Sequence, residues 1–158
     1  MSEIIQKIHS LLIKKGLTVS VAESCTGGIL SEFLTNAAGS SNYFTAGIVA
    51  YSNKAKERFL NIPHRFISQK GAVSKEVAQR LAHSIRVLSR TDLGIGITGI
   101  AGPAGGSKNK PVGTVFIAIE GKNGALCKRF SFRGNRQAIR KRSSLEALRL
   151  LYGNIQKI

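Results

Sequence analysis

The chain has 158 residues, a length that suits one compact core held without disulfides or metal. Its 24 lysines and arginines stand against 8 acids, a formal charge of +16, which fixes a surface that attracts anions but names no partner. Cys25 and Cys127 belong to no C-x-x-C pair, and His9, His64 and His83 are scattered without carboxylate clusters, so a disulfide scaffold and a metal site both lack support.

Residues 2–15, SEIIQKIHSLLIKK, carry Ile4, Ile5, Ile8, Leu11 and Leu12 at helical spacing, with Ser2 as a candidate cap and Gly16 at the stop. LTVSVA (17–22) then reads as a short strand. Ile29, Leu30, Phe33, Leu34 and Ala37 predict a helix from about Thr26, stopped by Gly39. YFTAGIVAYS (43–52) reads as a second strand, followed by a short helix through Lys56 and Phe59 that Pro63 closes off. Ser74 is the expected N-cap of a helix whose inner stripe is Val77, Ala78, Leu81, Ala82, Ile85 and Leu88. DLGIGITG (92–99) predicts a strand that breaks into the loop IAGPAGGSKNKP. VGTVFIAIE and ALCKRFSF flank GKNG, a hairpin signal, and a last helix is expected over about Arg136 to Tyr152. No stretch is long and apolar enough to span a membrane and none reads as a leader, so a soluble cytoplasmic chain is expected. Alternating strands and helices ending in a hairpin predict an α/β domain over residues 1–158 with a mixed sheet.

In such sheets ligands gather at the carboxyl ends of strands. Three suggestive stretches fall at such ends: ESCTGG, YSNKAK and TGIAGPAGG. Ser24, at a strand-to-helix turn, reads as a nucleophile whose oxyanion the helix-start amides would stabilise, or, with Thr26, as an ordinary cap. No histidine offers itself as a base. Lys56, if neutral, can take the serine proton with help from the Tyr51 hydroxyl, although a solvated helix lysine is the plainer reading. Cys25 is a rival nucleophile, or a small buried side chain. Glu23 reads as orienting a base, or as a structural hydrogen-bonding group.

TVSVAESCTGG, AGSSNYFTAGIVAYSNKAK, GAVS and GITGIAGPAGGSKNKPVGTV, in that order, closely resemble the CinA C-terminal-domain family, whose enzymes include nicotinamide mononucleotide deamidase. The resemblance runs from about Thr18 to Val115, and FRGNR extends it. It implies a three-layer α/β/α sandwich and hydrolysis of the substrate carboxamide to nicotinate mononucleotide and ammonia. Ser24 matches the serine of the A-E-S-C-T-G-G motif, the nucleophile; Tyr51 and Lys56 match the tyrosine and lysine of Y-S-N-x-x-K, which assist it. No metal or cofactor is implied. For the phosphorylated small-molecule substrate, Thr26, Gly27, Gly28, Ser40, Ser41, Thr98 and Gly99 are candidate lining positions, and Lys110 and Arg136 candidate charges. Where the family has an acid in G-P-D-G-G, this chain has Ala104, which puts the substrate more than the fold in question. The longer members carry an N-terminal nucleotide-processing domain for which 158 residues leave no room, and a homodimer is the expected assembly. A second reading is a catalytically silent protein binding nucleic acid or phosphorylated ligands. It rests on the charge, on KRFSFRGNRQAIRKR (128–142) with Arg140, Lys141 and Arg142, and on the family's association with DNA competence; a solvated face explains that segment more simply.

Overall fold

A computed structural model describes residues 3–158, so the expected cap at Ser2 lies outside the described residues. Five strands form one sheet in the order β2-β1-β3-β4-β5. These are β1 (Val19–Glu23), β2 (Phe44–Val49), β3 (Leu93–Gly99), β4 (Thr114–Gly121) and β5 (Gly124–Ser131). Parallel pairing of β1 with both β2 and β3 sets Glu23 opposite Val49 and Ile97, so the chain leaves all three strands at one end. The β4–β5 hairpin adds the antiparallel half, which makes the sheet mixed.

Helices cover both faces. On one lie α1 (Glu3–Lys15), α2 (Ile29–Thr35) and α6 (Arg136–Ile155), packed through Ile8, Leu12, Leu30, Leu34, Leu148 and Leu151 onto Val21, Ile95 and Ile117. On the other lie α3 (Asn53–Leu60), α4 (His64–Lys70) and α5 (Lys75–Ser89), with Leu60, Ile67, Val77, Leu81 and Ile85 as their inner residues. The result is the three-layer α/β/α sandwich. α5 lies close against β3, because Gly94 and Gly96 leave room there: a Cβ on Gly96 would run into the Ala78 carbonyl and, at 2.5 Å, the Ala82 nitrogen.

Several expectations are revised: β2 stops at Val49, α6 runs on to Ile155, Leu88 is exposed instead of belonging to the inner stripe of α5, and three further boundaries shift. The segment expected to be helical from Thr26 is a turn through Gly28, and α2 runs only from Ile29 to Thr35. Gly27 and Gly28 have φ of 60° and 101°, left-handed values that a helix cannot include. Pro63 does not merely close a section: it precedes α4, for which its fixed φ is suited. In the hairpin Gly121 pairs with Gly124, so Lys122 and Asn123 form the loop, one residue earlier than the Asn-Gly signal placed it. Ser74 caps α5 as expected, accepting from the Val77 amide at 3.2 Å.

Candidate active site

β1 ends in Glu23, and the Ser24 amide continues the pairing to the Ile97 carbonyl at 3.1 Å before the chain turns away. The Glu23 carboxylate, wholly buried, curls forward and accepts from the Gly28, Leu30 and Ser31 amides at 3.0, 3.1 and 2.8 Å and from the Ser31 hydroxyl at 2.6 Å. The first turn of α2 is thereby filled by the chain's own anion. This corrects one expectation: Gly28 and the helix amides beyond it are not available to a substrate phosphate or an oxyanion. It also resolves the role of Glu23 as a structural hydrogen-bonding group at the turn.

α3 starts directly after β2, capped by Ser52, whose hydroxyl accepts from the Ala55 amide at 3.1 Å. Lys56 and Leu60, one helical turn apart, both face inward, and Lys56 is 2% exposed. Its Nζ lies 3.2 Å from Ser24 Oγ and 3.4 Å from the Tyr51 carbonyl oxygen. Among the described residues no carboxylate forms an ion pair with it. Burial pushes the Lys56 ammonium below its usual value, because the charged form loses water without gaining a counter-charge. The Cys25 thiol, beside the same turn, is pushed up to about 12 by burial and so stays protonated at neutral pH. Of the two candidate side chains, Ser24 is the one hydrogen-bonded to the Lys56 amine.

These groups open onto a cleft of about 220 Å³ lined by Ser24, Cys25, Tyr51, Asn53, Lys56, Ala72, Val73, Thr98, Gly99, Ala101 and Arg136. The three strand-end stretches thus converge, joined by the segment before α5 and by the start of α6. The Tyr51 hydroxyl is not on Lys56: it accepts from Arg136 Nη2, while Arg136 Nη1 donates to the Gly102 carbonyl at 2.7 Å. Only the main-chain oxygen of Tyr51 meets the lysine. Thr98 donates its hydroxyl to the Ala72 carbonyl at 2.7 Å, bracing one wall of the cleft.

Several candidates lie elsewhere. Ser40 and Ser41 belong to a short 3-10 helix before β2, at the opposite end of the parallel strands, roughly 13 Å away at ~3.3 Å per residue of β1. Thr26 is wholly buried, and its Oγ1 has no hydrogen-bond partner among the described residues. Gly27 sits against Arg140, not the cleft. Lys110 donates from Nζ to the Val73 carbonyl at 2.6 Å, holding the outer loop to the cleft wall instead of offering charge within it. Ala104 is exposed and lines no part of the cleft. A hollow of 360 Å³ at the other end of the sheet, near Asp92, Lys122 and Asn154, holds no nucleophile with a base. Among the described residues no group of three or more His, Cys, Asp or Glu is placed to hold a metal ion, and no helix is long and apolar enough to cross a membrane.

Sequence reasoning quoted YSNKAK and GAVS but gave Asn53, Ala72 and Val73 no place in the site, and it did not foresee the burial of Lys56, for which the i, i+4 pairing with Leu60 is the available signal. The arginines of 128–142 are less free than their charge suggests. Arg129, Arg136, Arg140 and Arg142 donate to the carbonyls of Asn109, Gly102, Thr26 and Arg133.

The CinA C-terminal domain family matches residues 1–155. A CinA-like protein of Geotalea uraniireducens (strain Rf4) is 49% identical over 141 residues, covering 89% of this chain and 34% of that protein. A CinA-like protein of Leptospira biflexa serovar Patoc is 46% identical over 155 residues, 98% of this chain and 37% of its own length. The chain therefore spans about a third of the length of these curated relatives. A CinA superfamily protein from Klebsiella pneumoniae 700603 superposes with a TM-score of 0.94 at 29% identity, over 99% of this chain and 98% of the other. A competence/damage-inducible protein from Agrobacterium tumefaciens does so at 0.89 and 37% identity, over 97% and 96%.

Proposed function

The chain belongs to the CinA C-terminal domain family, and from that premise we propose that it hydrolyses the carboxamide of nicotinamide mononucleotide, releasing nicotinate mononucleotide and ammonia. The observation that carries this reading is a buried lysine with no ion-pair partner among the described residues, its Nζ 3.2 Å from the Ser24 hydroxyl. A neutral Lys56 has two N–H groups and one lone pair. Nζ donates to the Tyr51 carbonyl and to Ser24 Oγ; in the neutral amine, rotation about the Cε–Nζ bond turns the lone pair toward Ser24, whose hydroxyl then donates.

Lys56 takes the Ser24 proton as Oγ attacks the amide carbon. The Cys25 amide donates to no main-chain carbonyl among the described residues, and Cys25 lies on the cleft wall, so it is the main-chain donor assigned to the oxyanion. The lysine returns the proton to the amine as the C–N bond breaks, and ammonia leaves. Water, deprotonated by Lys56, then attacks the acyl ester, and the carboxylate departs as Ser24 regains its proton. A 220 Å³ cleft falls below the ~300–1,000 Å³ of drug-sized sites. It suits the amide-bearing ring, with the phosphate outside on the rim near Arg136. No step calls for a metal or redox cofactor.

The test is ammonia release from nicotinamide mononucleotide by the purified protein. Ser24→Ala and Lys56→Ala abolish release, and Lys56→Arg does not restore it, because a guanidinium cannot act as a base at neutral pH. Cys25→Ala retains it. Full release by Ser24→Ala defeats the mechanism; no release by the unaltered protein defeats the substrate assignment.

A further inference from the structure

The turn between β1 and α2 is held from both sides. On its helix side the Glu23 carboxylate takes the Gly28, Leu30 and Ser31 amides. On its other side Arg140, from α6, donates to the Thr26 carbonyl from Nε at 3.3 Å and Nη2 at 2.9 Å, across 114 residues of sequence. The Thr26 hydroxyl contributes nothing to this, being buried without a partner among the described residues. Gly27 completes the fit: its φ is 60°, and a Cβ there would stand 2.9 Å from Arg140 Nη2, so the guanidinium packs into the space a side chain would fill. Arg140 is not among the residues lining the cleft.

We propose that Arg140 is a positioning residue for the Ser24 turn, its guanidinium fixing the Thr26 carbonyl and with it the path of residues 24–27, including Ser24 and the main chain of Cys25 on the cleft wall. This rests on the reading of Ser24 as the nucleophile. Main-chain donors stabilise a transition state only if they are already aimed when charge develops. Two left-handed glycines in succession leave the turn free to drift, and the fork of Arg140 removes that freedom from outside the cleft. A lysine, with one compact charge, cannot supply two N–H groups in a fixed plane. Arg140 thus leaves the set of residues that the charge pattern grouped as an anion-binding face.

The test compares Arg140→Ala, Arg140→Lys and, as a control for lost surface charge, Lys141→Ala. Ammonia release from nicotinamide mononucleotide gives kcat and KM, with and without non-denaturing guanidinium chloride, and amide hydrogen exchange reports on the turn independently of activity. In Arg140→Ala, kcat falls by about 10- to 100-fold, the cost of a catalytic group misplaced by an ångström, while KM stays near its original value. Added guanidinium restores part of kcat; Arg140→Lys lies between; Lys141→Ala is unchanged. The Cys25 and Thr26 amides exchange faster in Arg140→Ala while those of β3 and α5 do not. Raised KM at unchanged kcat would instead make Arg140 a substrate ligand and overturn the proposal, as would unchanged kcat and exchange, or faster exchange throughout the core in both Arg140 variants. If Arg140→Ala does not fold, Arg140→Lys decides by the same readouts. A silent unaltered protein with selectively faster turn exchange in the variant defeats the substrate assignment alone; a silent protein with unchanged exchange defeats both.

Discussion

Lys56 occupies a place in the core that an apolar side chain would fill at no electrostatic cost. Its pKa lies below the usual 10.5, so between the lowered value and 10.5 the unfolded chain holds a proton that the native state lacks. Stability therefore rises with pH through that window, and at lower pH the buried charge is a burden. Lys56→Met is expected to raise stability by about 1 kcal/mol in urea denaturation and to abolish ammonia release, the exchange usual at functional sites. On the proposed mechanism the same titration governs the rate, so kcat/KM is expected to rise with pH as Lys56 loses its proton, with a midpoint below 10.5. A profile with no acidic limb at any pH at which the chain stays folded would remove Lys56 as the base. Cys25, 6% exposed and with its thiol pushed up to about 12 by burial, should resist iodoacetamide at neutral pH until the chain is unfolded, as counted by mass spectrometry.

At the scale of elements, close packing of α5 on β3 decides more than any single cap. Gly96→Ala puts a methyl group into the Ala78 carbonyl and is expected to cost about 1–3 kcal/mol, measured by denaturant midpoint. Ser74→Ala removes the cap of α5 and a bond from Ser74 Oγ to the Gly71 carbonyl, at a cost of about 1 kcal/mol. It also loosens the 71–73 segment that walls the cleft. Ala104→Asp alters an exposed loop position away from the cleft, so stability should change by no more than about 0.5 kcal/mol and kcat should hold. A marked rise in kcat would mean that the family's acid acts on the reaction and that this chain works without it. The strands, α1, α5 and α6 were legible because their apolar spacing repeats over many residues. The start of α2 was not, because Ile29–Thr35 is short and the decisive group, Glu23, belongs to the preceding strand. α4 escaped notice for a related reason: seven residues behind a proline carry too little periodicity to announce a helix.

Over the whole molecule the charge is left largely uncompensated. Ion pairs among the described residues engage Lys7, Arg86, Lys122 and Arg149 of its many cations. A phosphorylated substrate should be drawn by this field, so KM for nicotinamide mononucleotide is expected to rise with added salt while kcat holds. By itself the sequence determined the alternation of strands and helices, the mixed sheet, and the three strand-end segments that meet around Ser24 and Lys56. Each of these is a local pattern or follows from the fact that parallel strands deliver their loops to one end. Only the tertiary structure decided which donors stay free, that Tyr51 lends its carbonyl to Lys56 and its hydroxyl to Arg136, that Ser40 and Ser41 lie at the far end, and that Arg140 reaches the Thr26 carbonyl. Those outcomes depend on burial and on contacts between residues remote in sequence, and neither quantity is written in the order of the residues.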